Sequence, residues 1–241
     1  MSNPETILRE IFTRQAGIDL KADMAPQVPG YDLMVEFATL LARDPAEEEI
    51  QDFLDRHPQL LLSTFGAGDP SILACLVKPP IGTQYRADFG LLRYDQGGFQ
   101  VILVELERSG ARLLTKAKTP AQQYQRAIGQ VLDWKTWIEV NKRTFISEMI
   151  RLAVNAPTLA QRGSRGSFRT RDAKHIEGIA RQYGSDTLPR ISYQIVISRW
   201  GVLSEAEQTR LILTNQGQPG YATNTYDQLA RQAFVSPWRG Y

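Results

Sequence analysis

The sequence has very few residues that bind soft metals or form disulfides. Among its 241 residues there is one cysteine, Cys75, and there are two histidines, His57 and His175. One thiol cannot form an internal disulfide or a cysteine-based zinc site, and the two histidines do not form a His-x-x-His pair. Cys75 lies in the apolar run 72–77, where we expect a small core residue. The composition therefore disfavours a zinc enzyme or a hydrolase that depends on histidine.

Long apolar runs and an excess of one charge are also missing. No run approaches the roughly 20 apolar residues of a membrane span, and the first residues lack the apolar core of a signal peptide. Basic and acidic residues number 28 and 26, and the formal net charge is +2. Global charge therefore does not indicate a nucleic-acid ligand, and the position of individual basic residues matters more. We expect a cytoplasmic protein with no membrane partner.

Three carboxylates flank apolar runs near the centre of the chain. The unbroken run Val101–Val104 predicts a strand covered on both faces, and Glu105 and Glu107 follow it two residues apart, which points them to one side. Asp88 belongs to the preceding strand-like run, and Tyr94–Gly98 between the two runs is typical of a hairpin turn. Such a hairpin would bring all three acids to one end of a sheet.

Two interpretations of these acids stay open. Burial and like charge both oppose ionisation, so a cluster of carboxylates normally implies a cation, and oxygen ligands favour Mg²⁺ or Mn²⁺. Alternatively, Glu105 and Glu107 lie past the edge of the sheet and are solvated or paired with Arg108 and Arg112. The spacing alone is compatible with both.

Apolar periodicity and helix-start motifs place the other elements. Residues 1–43 are predicted to form a small N-terminal helical appendage, with a linker at 17–30, and residues 44–241 the main domain. That domain is predicted to begin with a helix capped by Asp44, whose first-turn acids Glu47, Glu48 and Glu49 suit the helix dipole, although one of them could reach a metal. Three strands, a long helix, another strand and a helix opened by a Ser204–Glu207 capping box follow.

The long helix carries Gln123, Gln130 and Trp137 at seven-residue intervals, so the three side chains share a face beside its apolar stripe. A glutamine in that position is ordinary boundary polarity. Beside a carboxylate cluster it could instead orient a water or a phosphate. The sequence does not separate these two roles.

A basic loop is predicted over about residues 155–190. Its glycine- and serine-rich part contains four arginines, Arg162, Arg165, Arg169 and Arg171. The stretch has no apolar period, which is typical of an irregular, mobile segment. It is either a solvated surface insertion or an arm that contacts phosphates through charge alone.

The order of the elements and the placement of the acids resemble the PD-(D/E)XK nuclease superfamily, and more closely the nuclease domain of Shedu anti-phage defence proteins. The resemblance covers roughly residues 44–235 and rests on five short motifs in order, namely Glu48–Pro58, Tyr85–Phe89, Val104–Glu107, Ala127–Asp133 and Thr225–Leu229. It implies an α/β fold with a restriction-endonuclease-like core, a mixed central sheet flanked by helices. It also implies that Asp88 and Glu105 bind Mg²⁺ or Mn²⁺ and that Gln130 lies near the scissile phosphate.

The sequence departs from that family at one position. The usual third motif is Glu-x-Lys, and Glu107 occupies the place of the lysine. Glu107 could accept the proton of the attacking water or bind a second metal. Lys116 or Lys118 could instead reach the site, or the activity could be lost.

The resemblance therefore implies a metal-dependent endonuclease of a bacterial defence system, acting on double-stranded phage DNA. Asp88, Glu105, Glu107 and Gln130 would form the catalytic site, the four loop arginines with Lys116 and Lys118 would contact DNA, and the protein would be a homo-oligomer, expected to be a tetramer. The alternative is a module of the same fold that binds DNA or a partner without cleavage. RNA is the least favoured ligand, because no motif for stacking single strands stands out.

Overall fold

A mixed β-sheet lies at the centre of the molecule. The structure is a computed structural model and describes residues 3–13, 31–66, 71–95, 98–183, 189–217 and 220–235. Its strands are β1 Ile72–Val77, β2 Pro80–Ile81, β3 Tyr85–Arg86, β4 Phe89–Asp95, β5 Gly98–Leu106, β6 Phe168–Arg169, β7 Arg190–Val196 and β8 Ala222–Asn224. The central sheet has the order β6-β1-β4-β5-β7-β8, and β2 pairs with β3 separately.

The sheet is antiparallel on one side and parallel on the other. The pairs β6–β1, β1–β4 and β4–β5 are antiparallel, whereas the pairs β5–β7 and β7–β8 are parallel. The predicted hairpin joins β4 to β5, and residues 96–97 of its turn lie outside the described residues. Parallel pairing of β5 with β7 requires a long crossover connection, which the helices between these strands supply.

Helices cover both faces of the sheet. They are α1 Pro4–Thr13, α2 Tyr31–Ala42, α3 Glu47–Arg56, α4 Gln59–Gly66, α5 Gln122–Asn155, α6 Ala173–Tyr183, α7 Glu205–Gly217 and α8 Tyr226–Val235. The first four and α8 contribute to the core on one face, and α5, α6 and α7 to the core on the other. None of these helices, within the described residues, is long and apolar enough to cross a membrane. The prediction of an α/β fold with a mixed central sheet flanked by helices is confirmed.

The central strand β5 is apolar on both sides, as the unbroken run predicts. Ile102 and Val104 belong to the core beneath α1–α4 and α8, whereas Val101 and Leu103 belong to the core beneath α5. Because successive side chains of a strand alternate between faces, this pattern puts position 105 on the α5 side. The polar end of β5 therefore opens towards the beginning of α5.

The N-terminal helices share a core with the C-terminal helix. Ile7 of α1 and Phe37 and Leu41 of α2 are fully buried together with Tyr226 and Leu229 of α8. Each such side chain contributes roughly 1.5–3 kcal/mol by leaving water. The appendage expected at residues 1–43 thus packs on the main body through its described helices, while the predicted linker at 17–30 lies outside the described residues.

The helix α3 begins later than its sequence motif predicts. Asp44 does not cap it: its backbone has a φ of 50°, and the helix starts at Glu47 after Ala46, whose N–H donates to Glu49 Oε1 at 3.2 Å. Asp44 instead accepts a hydrogen bond from Arg108 at 3.0 Å. Asp44, which the local motif predicts as the helix cap, therefore forms a tertiary ion pair with Arg108 instead.

The segment predicted as an irregular basic loop contains regular structure. Within about 155–190 lie the short strand β6, which pairs with β1, and the helix α6, whose Ile176 and Ile179 are buried against the α5 layer. The prediction followed the glycine-, serine- and arginine-rich composition of the stretch before α6 and overlooked the apolar face of this helix. The described part of this segment, residues 155–183 and 189–190, is part of the folded domain.

Candidate active site

The β4–β5 hairpin brings Asp88 and Glu105 side by side. Phe89 pairs with Val104, so one further step in the register places Asp88 opposite Glu105. The Asp88 N–H donates to the carbonyl of Val104 at 3.1 Å, and Asp88 Oδ2 accepts the N–H of Leu106 at 2.8 Å. Paired positions of an antiparallel ladder share a face. The acids therefore gather at one end of the sheet, as the hairpin predicts.

Glu105 and Glu107 are buried, each only 6% exposed. The Gln123 side chain hydrogen-bonds the Glu107 carboxylate, whereas Glu105 forms no hydrogen bond or ion pair with the described residues. Arg108 pairs with Asp44, and Arg112 pairs with Glu207. The interpretation in which the two acids are solvated or neutralised by these arginines is therefore wrong.

A cavity of about 630 Å³ lies over this end of the sheet. Three elements meet there: the beginning of α3, the end of β5 and the first turns of α5. The lining residues are Ala46, Glu47, Glu48, Glu105, Glu107, Arg108, Gln122, Gln123, Arg126 and Gln130. The wall from α3 and β5 is acidic, and the wall from α5 carries amides and one guanidinium.

Glu47 is one of the first-turn acids for which the sequence allowed either a helix-dipole role or a role in the site. It is the first residue of α3, is half-buried, and lines the cavity together with Glu48. A carboxylate in the first turn suits the helix dipole. The position of α3 over the hairpin nevertheless turns Glu47 towards the other acids, so it belongs to the same electrostatic cluster.

The acids of the cluster hold their protons unusually tightly. Burial, with the nearby charges of Asp88, Glu47 and Glu107, raises the pKa of Glu105 to about 10. Burial and the same kind of repulsion raise the pKa of Glu47 to about 7. Burial raises the pKa of Asp88 to about 6, although the Leu106 N–H and the Lys78 charge act in the opposite direction. The cluster therefore binds protons near neutral pH, or another cation in their place.

Burial also raises the pKa of Glu107, while the hydrogen bond from Gln123 and the charge of Arg126 limit the rise. Perturbed carboxyl groups that line a cleft are typical of functional sites. Their donor atoms are all oxygens, which suits Mg²⁺ or Mn²⁺. Within the described parts of the chain, however, no group of three or more His, Cys, Asp or Glu side chains is placed to hold a metal ion. The donor chemistry fits a hard cation, and the arrangement is not that of a closed metal centre.

One face of α5 supplies the wall opposite the acids. Gln123 and Gln130, which the sequence places on a common face, both line the cavity, and Arg126 lies between them on that face. Trp137 lies further along the helix, where its ring packs against Gly82 rather than over the acids. Sequence reasoning missed Arg126, although its spacing of three and four residues from the two glutamines predicts the shared face.

Arg162 is buried and paired within the protein. Its side chain is 4% exposed, and Nη2 donates to Asp55 Oδ1 at 2.6 Å. The guanidinium also lies 4.7 Å from the centre of the Phe168 ring, and the Gly166 N–H donates to the same Asp55 oxygen at 2.9 Å. The expectation that Arg162 contacts DNA needs correction, because a buried, paired guanidinium cannot reach a phosphate. It fixes the arginine-rich segment to α3.

The other predicted basic contacts do not line the acid cavity either. Arg165 pairs with Asp52 at 3.0 Å, and the Arg169 guanidinium donates to the carbonyls of Val154 and Ala156. Arg171 is half-buried, and the exposed Lys116 and Lys118 line a different cavity, formed with Arg112, Ser204 and Glu207. The cations that line the acid cavity are Arg108 and Arg126.

Tyr226 fixes the backbone at the acid site. Its ring is fully buried in the α8 core, and its hydroxyl donates to the Glu107 carbonyl at 2.6 Å. The last quoted motif of the sequence, residues 225–229, contains this tyrosine, but no pattern assigned it a role. The hydrogen bond joins α8 to the point where β5 ends.

Comparison with known protein families gives a match to this chain. The family model described as the Shedu protein SduA, C-terminal, matches residues 44–229, which include the whole acid cavity. No curated protein matches the chain significantly. The matched region is most of the chain and suggests a role in Shedu anti-phage defence. The protein therefore belongs to the family of the C-terminal region of the Shedu protein SduA.

Proposed function

We propose that this protein is a metal-dependent endonuclease that cleaves DNA in Shedu anti-phage defence. The observation that carries the proposal is Glu105, a carboxyl group 6% exposed and unpaired, which faces a cavity with an arginine and amides on the other wall. A buried carboxylate without a partner opposes folding, and proteins retain such groups mainly where function needs them. Family membership supports the defence role.

In this proposal Asp88 and Glu105 bind Mg²⁺ or Mn²⁺. When bound, the ion would lower the pKa of a water molecule and offset the charge of the phosphodiester. Glu107 accepts the proton of the attacking water, and the hydrogen bonds from Gln123 to its carboxylate and from Tyr226 to its carbonyl hold it in place. Gln130, on the opposite wall, orients the phosphodiester.

The test is cleavage of linear and closed-circular DNA by the purified protein in Mg²⁺ or Mn²⁺. We expect the wild type to cleave and Asp88→Ala and Glu105→Ala to be inactive while still folded. Asp133→Ala, which removes an exposed acid of α5 that does not line the cavity, is the matched control and should retain activity. Equal cleavage by wild type and Glu105→Ala would refute the proposal.

A module that binds DNA or a partner without cleavage is the second candidate. It is favoured by Glu107 in the place of the expected lysine and by the lack, among the described residues, of acids converging on a metal. In that case Asp88→Ala and Glu105→Ala keep the wild-type affinity for DNA, and no divalent metal yields cleavage. Activity that appears only in Glu107→Lys would identify a degenerate site.

Two further features stay predictions. We propose that Arg165, Arg169, Arg171, Lys116 and Lys118 contact the DNA backbone outside the cavity. Each phosphate contact that is removed should lower the slope of log K against log salt by about 1.

We also propose that the protein is a homo-tetramer. Light scattering on the purified protein measures the mass of the assembly directly.

A further inference from the structure

The two arginines of the cavity differ in how they are held. Arg108 donates from Nη2 to Asp44 Oδ2 at 3.0 Å, so its charge is already offset by an acid outside the cavity. Arg126 forms no ion pair within 4.0 Å with any residue of the described part of the chain. Arg126 is also exposed, whereas Glu105 and Glu107 opposite it are buried. Arg126 is therefore the cation of this cavity that is open to a ligand.

The charge of Arg126 acts on the acids across the cavity. It lowers the pKa of Glu47, Glu105 and Glu107, all of which burial raises. Each of these acids repels an approaching anion when it is ionised, and an ionised carboxylate cannot donate a hydrogen bond to that anion. An anionic ligand of this cavity must therefore be held mainly from the α5 wall.

That wall has the chemistry of a phosphate site. A guanidinium presents a planar pair of N–H groups that fits two phosphate oxygens, and its charge is permanent. Gln122 lies one helical turn before Arg126 and also lines the cavity, where its amide is a neutral donor. Glu105, which is buried and unpaired, lies on the opposite wall of the same cavity.

We propose that Arg126 binds the substrate phosphate directly, with its two N–H groups on the non-bridging oxygens, and that Gln122 assists as a neutral donor. Arg126 thus supplies the positive charge of the site from α5 rather than from β5. The inference rests on the proposed function for what happens to the phosphate afterwards. Binding of the phosphate itself can be tested without cleavage.

The experiment measures binding of a fluorescein-labelled 20-base-pair duplex by anisotropy, in EDTA and in Ca²⁺, over a series of salt concentrations. We compare wild type, Arg126→Ala and Arg126→Lys, with Arg143→Ala as the control. Arg143 is an exposed arginine 17 residues further on, beyond a kink at Asn141, and it does not line the acid cavity. The melting temperature of each variant shows that it is folded.

We expect Arg126→Ala to bind about tenfold more weakly and with a salt slope smaller by about 1, as for the loss of one phosphate contact. Arg126→Lys should recover the slope but only part of the affinity, because an ammonium makes a single-point contact. Arg143→Ala should match the wild type. A purely structural role of Arg126 would lower the melting temperature and leave the salt slope unchanged.

The outcomes separate this inference from the proposed function. Wild-type affinity and slope in Arg126→Ala would overturn the inference, whether or not the wild type cleaves DNA. Weak binding by Arg126→Ala, with no cleavage by the wild type in Mg²⁺ or Mn²⁺, would support the phosphate contact and refute the nuclease. No measurable DNA binding by the wild type would overturn both.

Discussion

Two buried carboxyl groups in this molecule have pKa values shifted in opposite directions. Glu207, near the start of α7, is 1% exposed, and Glu105, at the end of β5, is 6% exposed. Burial raises the pKa of both. Hydrogen bonds from Leu114 N–H and Ser204, with the charge of Arg112, outweigh burial at Glu207 and bring its pKa to about 2, whereas the pKa of Glu105 rises to about 10.

The difference lies in the donors around each group. Glu207 Oε1 accepts the N–H groups of Leu113 and Leu114 at 2.9 and 3.0 Å, and Oε2 accepts the Ser204 N–H and hydroxyl at 2.9 and 2.7 Å. Glu105 has no such donor among the described residues and faces other acids instead. Depth alone therefore does not decide what a buried acid does. A carboxylate with all its donors stabilises the fold, and one without them is available to a ligand.

The largest expected effect is on cleavage. Glu105→Gln keeps the shape of the side chain but replaces one carboxylate oxygen with an NH₂ group that cannot bind a metal, so we expect the cleavage rate in Mg²⁺ to fall about a hundredfold, the upper end of the loss caused when even an outer-shell partner of a metal site is changed. The rate is measured on closed-circular DNA under single-turnover conditions. Glu205→Gln, at an exposed acid of α7, is the control and should keep the wild-type rate. A rate near that of the wild type in Glu105→Gln would mean that the unpaired acid is not the reactive one.

The next effect is on stability at the satisfied acid. Glu207→Ala leaves several buried N–H groups unpaired, and we expect it to lower the free energy of unfolding by about 3–5 kcal/mol. Glu205→Ala should change it by less than about 0.5 kcal/mol. Because the pKa of Glu207 is lowered to about 2, its contribution is present above pH 4.5 and is lost as the pH falls towards 2. Urea unfolding of both variants at pH 7 and pH 3 tests this, and a Glu207→Ala deficit that is unchanged at pH 3 would contradict it.

The unpaired acid should have the opposite effect on stability. A carboxyl group whose pKa is raised stabilises the folded state fully only below its unfolded value, near 4.5, and this contribution is lost as the pH rises towards the folded value of about 10. We expect Glu105→Gln in EDTA to raise the free energy of unfolding by about 1–3 kcal/mol at pH 8 and to have little effect at pH 4.5. Melting curves at both pH values provide the measurement. A variant less stable than wild type at pH 8 would show that Glu105 has a stabilising partner.

The smallest effect is expected at the hydrogen bond that holds the backbone of the site. Tyr226→Phe removes the donor to the Glu107 carbonyl and should lower the free energy of unfolding by about 1 kcal/mol. If this bond positions Glu107, cleavage should fall further than this loss of stability explains, with little change in DNA affinity. Tyr221→Phe, at a half-buried tyrosine outside the acid cavity, is the comparison. Equal effects of the two substitutions on cleavage would remove Tyr226 from the positioning role.

Sequence patterns that span only a few residues predicted most of the sheet and the positions of Glu105 and Glu207. The spacing of Glu105 and Glu107 gave their common side, and the box Ser204–Glu207 gave the start of α7, where Ser204 and Glu207 are indeed hydrogen-bonded. These features depend on strand alternation and on one turn of helix. Such local rules need no knowledge of the remaining chain.

The failures depend on contacts between distant residues. Arg162 is neutralised by Asp55, 107 positions earlier, and nothing in the arginine-rich stretch announces that partner. Asp44 was assigned to a helix cap but is used by Arg108, 64 positions later. The positive charge that lowers the pKa of Asp88 comes from Lys78, whereas Lys116 and Lys118 line a different cavity. Sequence spacing could suggest which residues are acidic or basic, but only packing decides which of them meet.

The hydrogen bond from the Leu106 N–H to Asp88 Oδ2 gives the two oxygens of this carboxylate different roles. Oδ2 accepts the backbone hydrogen bond where β4 begins, whereas the other carboxylate oxygen does not take part in it. Asparagine at position 88 could still accept the Leu106 N–H with its amide oxygen, while its NH₂ group would replace the oxygen that a cation needs. Under the proposed function, Asp88→Asn would therefore give a folded protein that no longer binds the metal, and the sheet would stay intact in such a pure binding protein.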